Sequence, residues 1–288
     1  MLPKLTILIT GANGQLGLQI KLLSVSMPEY NYIFAEKSIL QIEDKAQVDI
    51  FFSKNKIDIC VNCAAYTAVD KAEQNKELAL AVNTNAVGNL AKVCKQYGVK
   101  FIHLSTDYVF NGKAKIPYKE TDVPEPVNFY GSTKLGGEQL AQLYNEQCII
   151  IRTAWVYSMY GANFVKTMLR LLHEKESIQV VNDQYGSPTY AADLAHAIFS
   201  IIGSNIFVPG IYHFSNSGTI TWYQFANQIA LVTKSTCKVE PITTAQYYTP
   251  AARPAFSVLD TSLIQSTFNI TISPWMDSLH KCIETIRL

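Results

Sequence analysis

Short apolar runs alternate with amphipathic stretches along the first half of the chain. The runs are apolar throughout, which is typical of strands whose two faces are both covered by helices. Regular alternation of strand and helix predicts an α/β fold with a Rossmann-like, doubly wound parallel sheet. The predicted strands are Leu5–Thr10, Tyr32–Glu36, Ile57–Ala64, Lys100–Ser105 and Cys148–Thr153, and the predicted helices are Gln15–Ser24, Ala46–Ser53, Lys76–Gln96 and Tyr130–Tyr144.

The alternation loosens after Thr153. We expect residues 1–155 to form a dinucleotide-binding domain, completed by residues 190–215. Residues 156–189 and 216–288 are expected to form a small C-terminal lobe that binds substrate over the mouth of the sheet. In this part of the chain the pattern predicts one strand, Ile211–Ser215, and four helices, Asn163–Glu174, Ala191–Ile202, Thr221–Thr233 and Trp275–Arg287.

Composition limits the classes of function. The 288 residues include 24 Lys and Arg against 23 Asp and Glu, a net charge of +1, which favours neither nucleic acid nor an anionic membrane as a partner. Only 16% of residues are charged and 48% are hydrophobic, which permits a large core and leaves room for a homodimer. With no signal-peptide pattern and no membrane-length apolar run, we expect a cytoplasmic protein.

Cysteines and histidines give no sign of a metal or redox centre. Cys60 and Cys63 have C-x-x-C spacing, but they lie in an apolar run and no second pair accompanies them, which favours core residues. The five histidines show no metal-ligand spacing, so no metal is expected.

The turn after the first predicted strand is the first candidate site. Its sequence, Gly11-Ala-Asn-Gly14-Gln-Leu-Gly17, lets the backbone approach a pyrophosphate held by amides and by the helix dipole. Glu36 ends the second strand, where a carboxylate accepts hydrogen bonds from adenosine ribose hydroxyls, and Lys37 beside it would tolerate a 2′-phosphate. The turn therefore predicts a site for NADH or NADPH, with the choice between them open.

Tyr130 and Lys134 form the second candidate site. Residues four apart share one helix face, so the lysine would lower the phenol pKa from its usual value of about 10. Such pairs often arise by chance, but the glycine turn and the strand ending in Ser105-Thr106 favour a catalytic pair. Thr106 would face the crevice where such sheets bind ligands, placed to hydrogen-bond a substrate carbonyl or hydroxyl.

Three of these stretches, Gly11–Gly17, Ser105–Gly112 and Tyr130–Lys134, resemble the extended short-chain dehydrogenase/reductase family. The resemblance implies reduction of the 4-keto group of dTDP-4-dehydro-6-deoxy-L-mannose (dTDP-4-dehydrorhamnose) to dTDP-L-rhamnose by NADPH or NADH, in dTDP-rhamnose biosynthesis. The stretches that narrow it to the dTDP-4-dehydrorhamnose reductases within that family are Ala64–Asp70, Arg152–Tyr157, Asp183–Thr189 and Arg253–Ser257.

The family pattern also implies a role for individual residues. Tyr130 would donate the proton, Lys134 would position the nicotinamide ribose, and Thr106 would lie beside the sugar. Gln41 stands where the family often has Asp near the adenine, which leaves the cofactor preference open. The implied cofactor-binding residues are Gly11, Gly14, Gln15, Leu16, Gly17, Glu36, Gln41, Ile42, Ala65, Tyr66, Thr67, Tyr130 and Lys134, and the implied substrate-binding residues are Thr106, Asp107, Trp155 and Arg253.

Other classes share parts of this pattern. A sugar-nucleotide epimerase or dehydratase uses the same glycine turn and Tyr/Lys pair, and a reductase-like regulatory subunit would bind cofactor and a partner enzyme without catalysis. In the dehydratases a Glu follows the Thr-Asp pair, whereas here Tyr108 follows Asp107. A phenol is a poor base for a carbon acid, so the sequence favours simple carbonyl reduction. Arg253 would bind the substrate diphosphate or, alternatively, serve as a surface arginine.

Overall fold

The computed structural model describes residues 3–204 and 206–287. Strands and helices alternate along the chain, and a π-helical turn, Ala81–Asn85, joins α4 to α5. The strands are β1 (Thr6–Thr10), β2 (Asn31–Ala35), β3 (Ile59–Asn62), β4 (Lys100–Thr106), β5 (Cys148–Thr153), β6 (Val156–Tyr157), β7 (Ser177–Val181), β8 (Tyr185–Gly186), β9 (Thr189–Tyr190), β10 (Gly210–Phe214), β11 (Ile220–Thr221) and β12 (Lys238–Ile242). The helices are α1 (Gln15–Ser24), α2 (Lys45–Lys54), α3 (Val69–Ala72), α4 (Lys76–Leu80), α5 (Ala86–Tyr97), α6 (Phe129–Tyr144), α7 (Phe164–Glu174), α8 (Ala191–Gly203), α9 (Trp222–Thr233), α10 (Ser262–Phe268) and α11 (Trp275–Arg287).

The central sheet is parallel and has six strands in the order β2-β1-β3-β4-β5-β10. The order reverses between β1 and β3, since β2 continues on one side of β1 and the later strands continue on the other. Ligands of open α/β sheets bind at such a reversal, beyond the carboxyl ends of the strands. The predicted Rossmann-like parallel fold is confirmed. A ligand site is therefore expected at the carboxyl edge of the sheet, between β1 and β3.

Both faces of the sheet are buried, which explains the continuous apolar runs. Ile7 and Ile9 point into a core shared with α1 and α8, while Leu8 between them points into a core shared with α2, α5 and α6. Each strand therefore needs apolar residues at consecutive positions.

A separate core supports the elements that stand beyond the sheet. Val165 of α7, Phe225 of α9 and Leu279 of α11 are completely buried in it. Three two-stranded pairs, β6–β9, β7–β12 and β8–β11, border these helices. The helix α10 differs from its neighbours, because Ile264 and Phe268 join the core of the main sheet instead. The predicted division into two domains stays a prediction. Helix α10 does not follow it, because it belongs to the predicted C-terminal lobe but packs against the main sheet.

Several elements differ from the sequence prediction. The helix predicted over Lys76–Gln96 is broken by the π-helical turn. The strands β6, β8, β9 and β11 have two residues each, too few for a periodic pattern, and the five-residue strands β7 and β12 were not predicted. Of the helices in the described part of the chain, none combines the length and the apolar character needed to cross a membrane.

Candidate active site

The loops that follow β1, β2 and β3 enclose a cavity of about 490 Å³ at the carboxyl edge of the sheet. It lies at the reversal of strand order, where the fold places a nucleotide. Residues predicted to bind cofactor are prominent in its lining, which includes Gly11, Gly14, Glu36, Ile42, Ala65 and Tyr66.

Only glycine fits at position 11, because of the backbone conformation there and because of the neighbouring atoms. The φ of Gly11 is +62°, and a Cβ there would lie 2.6 Å from the backbone nitrogen of Ala64. The loops after β1 and β3 can therefore approach each other only if this residue has no side chain. Helix α1 begins directly after Gly14, which lines the cavity. Because glycine has no side chain to cap the helix, the first amides of α1 remain available as donors for an anion.

Gln15 connects the glycine turn to the second group of elements. Its Oε1 accepts hydrogen bonds from Ser158 Oγ at 3.1 Å and from Asn163 Nδ2 at 2.9 Å. The side chain is thus held towards the loop after β6, while the residue itself begins the helix predicted to hold the pyrophosphate.

Glu36 lies at the end of β2 and lines the cavity. Its carboxylate accepts hydrogen bonds from Asn13 Nδ2 and from Ser38 Oγ, which fix its orientation. Lys37 also lines the cavity but pairs with Glu43, whose Oε1 is 2.6 Å from Lys37 Nζ. The two residues that would decide between NADH and NADPH are therefore both present at the cavity wall.

Seven of the predicted cofactor residues lie outside this lining, namely Gln15, Leu16, Gly17, Gln41, Thr67, Tyr130 and Lys134. Gln41 is exposed and its backbone nitrogen donates to Gln47 Oε1, while its neighbours Leu40 and Ile42 face the cavity. Thr67 is also exposed, beyond the lining residues Ala65 and Tyr66. Their predicted contacts to the cofactor stay predictions.

Asn83 is a site residue that the sequence reasoning missed. It lies in the π-helical turn, is completely buried, and accepts a hydrogen bond from the Tyr66 nitrogen at 2.8 Å. Its Nδ2 donates to the Tyr66 carbonyl and to Thr133 Oγ1 of α6. One side chain thereby holds the loop after β3 against the helix that carries Tyr130. A π-helical turn is common at functional sites, but the sequence carries no periodic signal for it.

The structure places Tyr130 and Lys134 in the first two turns of α6, beside the end of β4 that carries Thr106. Helix α6 is capped by Asn128, whose Oδ1 accepts from the Gly131 nitrogen at 2.8 Å, so Tyr130 lies in its first turn. Lys134 lies one turn further on, buried, and its Nζ donates to the Leu104 carbonyl at 2.6 Å. Thr106 ends β4, and its hydroxyl lies near enough to hydrogen-bond the Tyr130 phenol, which lowers the phenol pKa.

The pKa of Tyr130 is raised, whereas the spacing of Tyr130 and Lys134 predicts that it is lowered. Burial, together with the smaller effect of the nearby Asp107 carboxylate, raises it to about 12, against the lowering effect of the Thr106 hydrogen bond. The expectation that Lys134 would lower this pKa is wrong, because burial raises it and the Lys134 ammonium donates to the Leu104 carbonyl instead. Burial also lowers the pKa of Lys134 to about 8, opposed mainly by the Glu138 carboxylate. At neutral pH the phenol is therefore protonated and the lysine is charged.

Asp107 is buried beside this centre. Its Oδ1 accepts from Thr106 Oγ1 at 3.1 Å, whereas its Oδ2 is buried with no partner among the described residues. Burial raises the pKa of this carboxyl to about 6. A buried acceptor without a partner is costly, so this oxygen is suited to receive a hydroxyl of a bound ligand.

A second cavity, of about 380 Å³, lies between α7, β7, α9 and the segment before Arg253. Apolar side chains dominate its wall, with the charged Arg253 at one side. Trp155, predicted to bind substrate, has a φ of +49° and stacks on Trp222, a wall residue, at a ring distance of 3.4 Å. A left-handed tryptophan is strained, and such strain persists where surrounding contacts over-determine it. The wall is formed by Tyr108, Phe164, Met168, Gln184, Trp222 and Arg253, among others.

Arg253 makes two hydrogen bonds to Asp70. Its Nη1 and Nη2 are each 2.7 Å from one oxygen of that carboxylate. The Ala251 nitrogen donates to the same carboxylate, and hydrogen bonding to Arg253 holds the pKa of Asp70 below its usual range. Asp70 lies in α3, which follows the loop after β3, so the ion pair connects this helix to the wall of the second cavity. Arg253 is therefore not a solitary surface arginine.

The Tyr130–Lys134 pair lies between the two cavities. Lys134 influences the pKa of the Cys63 thiol, which lines the first cavity, and the Tyr130 ring contacts Tyr108, which lines the second, at 5.8 Å edge to face. A parallel nucleotide-binding sheet with a Tyr/Lys centre at its carboxyl edge defines the class of extended short-chain dehydrogenases/reductases.

Comparison with known proteins gives the family. Residues 5–288 match the family model described as the RmlD substrate binding domain. The dTDP-4-dehydrorhamnose reductase of Aggregatibacter actinomycetemcomitans is 40% identical, over 95% of this chain and 96% of its own. The chain belongs to the RmlD family, that of the dTDP-4-dehydrorhamnose reductases, and the resemblance seen in the sequence is confirmed.

Two further relatives support this assignment. The spore coat polysaccharide biosynthesis protein SpsK of Bacillus subtilis is 39% identical over 96% of both chains. A crystal structure of the dTDP-4-dehydrorhamnose reductase of Bacillus anthracis in complex with NADP superposes with a TM-score of 0.94 and 37% identity, and covers 98% of this chain and 100% of that chain.

Proposed function

We propose that the protein is an NAD(P)H-dependent oxidoreductase that reduces the 4-keto group of dTDP-4-dehydrorhamnose to give dTDP-L-rhamnose. The observation that carries the proposal is the position of Tyr130 and Lys134 between a cavity with a glycine cradle and a second, mostly apolar cavity with an arginine. Reductases of the same family align with nearly the whole chain. The cytoplasmic location and the homodimer expected from the sequence stay predictions.

The first cavity suits a dinucleotide. Any side chain at Gly11 would fill the close approach to Ala64, and the uncapped start of α1 provides amides for a pyrophosphate. Glu36 is oriented to accept from the adenosine ribose. When bound, NADPH or NADH supplies the hydride. The protein contributes its placement, with Lys134 positioned for the nicotinamide ribose.

Tyr130 is the proton donor of this proposal. With a pKa of about 12 it stays protonated at every pH at which the enzyme would work. As negative charge develops on the sugar O4, the phenol gives up its proton and Thr106 supports the same oxygen, so no free alkoxide forms in a dry site.

The second cavity would hold the nucleotide. Apolar and aromatic walls suit a pyrimidine base, and Arg253 is placed for the diphosphate. Gripping the nucleotide far from the reacting carbon positions the sugar without direct contact to C4. Asp107 would accept a hydrogen bond from a sugar hydroxyl beside Tyr130.

The Asp70–Arg253 ion pair yields a prediction about substrate affinity. Asp70→Asn removes the charge that orients Arg253, and a hydrogen bond to a charged group is worth about 1.5–3 kcal/mol. We expect KM for the nucleotide sugar to rise about tenfold, with the NADPH dissociation constant unchanged. Glu174→Gln, in the exposed Arg170–Glu174 pair, is the control and should change neither. Tighter sugar-nucleotide binding by Asp70→Asn would show that Asp70 competes with the diphosphate.

Glu36 yields a prediction about cofactor choice. The wild type should use both cofactors, with an NADH preference no stronger than moderate, because the carboxylate accepts from a free ribose and repels a 2′-phosphate. In Glu36→Ala the ratio of kcat/KM for NADPH to that for NADH should rise about tenfold. Glu29→Ala, before the amino end of β2, should leave the ratio unchanged. A wild-type NADPH preference above about a hundredfold would mean that Glu36 does not face the ribose.

A panel of nucleotide keto-sugars tests the proposed substrate. Purified protein is incubated with each sugar and with NADPH or NADH, and cofactor absorbance and product mass are followed. We expect the highest kcat/KM with dTDP-4-dehydrorhamnose. Cofactor binding without oxidation by any sugar would favour the regulatory subunit instead.

A further inference from the structure

A chain of charged and polar side chains lies buried beneath the candidate active site. Glu138 and Arg152 are each 1% exposed, and Arg152 Nη2 lies 2.7 Å from Glu138 Oε2. Arg152 Nε donates to Glu138 Oε1 at 3.0 Å, and Ser105 Oγ donates to the same oxygen. His213 Nε2 closes the chain, 3.5 Å from Arg152 Nη1.

Stability alone does not account for this network. Moving a carboxylate and a guanidinium out of water costs several kcal/mol per ion, and an apolar pair of similar volume is often as stable or more stable. Glu138 of α6 and Arg152 of β5 lie in the centre of the fold, and the three β5 residues that precede Arg152 are isoleucines. A buried ion pair in such a place calls for a role beyond holding the fold together.

The network joins α6 to the strand that carries Thr106. Lys134 and Glu138 lie four residues apart on one face of α6, and they bind consecutive residues of β4. Lys134 Nζ donates to the Leu104 carbonyl, and Glu138 accepts from the Ser105 hydroxyl. The next residue along β4 is Thr106. Two contacts one helical turn apart therefore set the position of Tyr130 relative to Thr106.

Glu138 also stands out among the groups that face Lys134. Tyr130 is protonated on the same helix, and Cys63 after β3 is neutral because burial raises the pKa of its thiol. His103 on β4 is neutral too, since burial and the charge of Lys134 lower its pKa. Of these groups the carboxylate of Glu138 is the anion, and Arg152 holds it in place from β5.

We propose that Glu138 is the positioning residue of the Tyr130–Lys134 centre, a carboxylate oriented by Arg152 and Ser105 that keeps Lys134 charged and in place. This inference rests on the proposed function for the part that Lys134 plays in reduction. Without the Glu138 carboxylate, Lys134 should lose its proton at a lower pH. The substitution removes no group that touches cofactor or sugar.

The test compares Glu138→Gln with the double variant Glu138→Gln/Arg152→Met. The measurements are the pH profile of kcat/KM, the pH profile of NADPH affinity by fluorescence, and Tm. In the wild type, activity should fall as pH rises through about 8, where Lys134 loses its proton. In both variants this alkaline limb should move down by about one pH unit or more. Tm should fall in the single variant, which leaves Arg152 unpaired, and recover in the double variant.

The double variant distinguishes a positioning role of Glu138 from a merely structural role of the Glu138–Arg152 ion pair. If the ion pair were merely structural, the alkaline limb of the kcat/KM profile would return to its wild-type position when Tm recovers. That result would overturn the proposal. Glu146→Gln, in the exposed pair with Lys95, is the control and should leave the limb unmoved. If the wild type reduces no keto-sugar, the proposed function fails on its own, and the pH profile of NADPH affinity still decides the role of Glu138.

Discussion

Tyr130→Phe is expected to lower kcat by about 100-fold or more while NADPH still binds. The substitution removes the proton that the phenol delivers to O4 and changes almost no volume. Tyr130 is 9% exposed and its ring contacts Tyr108 edge to face, a contact that phenylalanine retains. Steady-state rates with saturating keto-sugar, together with NADPH binding by fluorescence, measure the two effects separately.

Tyr144→Phe provides a control on the same helix. Its ring lies under Lys92 Nζ at 3.7 Å, at the far end of α6 from Tyr130, and the interaction does not need the hydroxyl. We expect kcat within about twofold of wild type, since the change leaves the reacting groups untouched. Near-normal turnover by purified Tyr130→Phe would remove Tyr130 from the mechanism.

Gly11→Ala is expected to weaken NADPH binding by about tenfold or more, because the new Cβ would lie 2.6 Å from the Ala64 nitrogen and push the loops apart. Gly98→Ala is a matched control. Gly98 has a φ of +66°, close to the +62° of Gly11, but a Cβ there meets nothing within 4 Å. Both variants should lose about 1–2 kcal/mol of stability from the left-handed backbone.

Only the Gly11 variant should lose cofactor affinity, measured by fluorescence titration and compared with Tm for both proteins. Wild-type NADPH affinity in Gly11→Ala would mean that the close approach of the loops after β1 and β3 does not shape the cofactor cavity. A loss in Gly98→Ala as well would mean that general destabilisation, rather than the cavity, governs binding.

The sequence predicted the central sheet well because its strands and helices carry strong local signals. The five apolar runs became β1 to β5, and α1 begins and ends at the predicted Gln15 and Ser24. The glycine turn, Glu36 and the Tyr130–Lys134 pair were found because each follows a predictable element of a parallel sheet. Their common edge follows from topology alone.

Other features depend on contacts between residues distant in sequence. The π-helical turn at Asn83 interrupts an otherwise regular helical pattern, and its hydrogen bonds reach Tyr66 and Thr133. The high pKa of Tyr130 results from burial, which the i, i+4 spacing of Lys134 cannot reveal. The pairing of Arg253 with Asp70 likewise joins residues that no local pattern relates.

Tyr108 separates the reductase from the dehydratase in the structure as well as in the sequence. Burial raises the pKa of its phenol, with the Asp107 carboxylate adding to the effect. A dehydratase needs a base for the C5 proton at this position, and a buried neutral phenol is a poor one. We therefore expect no 4-keto-6-deoxy product from dTDP-glucose with oxidised cofactor.

The most direct measurement of the central claim follows the hydride. The protein is incubated with dTDP-4-dehydrorhamnose and NADPH carrying deuterium at both C4 positions of the nicotinamide, and the product is analysed by mass and by NMR. The proposed reaction predicts dTDP-L-rhamnose with one deuterium, located at C4 of the sugar, and one oxidised cofactor for each product. A product without deuterium, or a changed sugar with no cofactor oxidised, would contradict carbonyl reduction at C4.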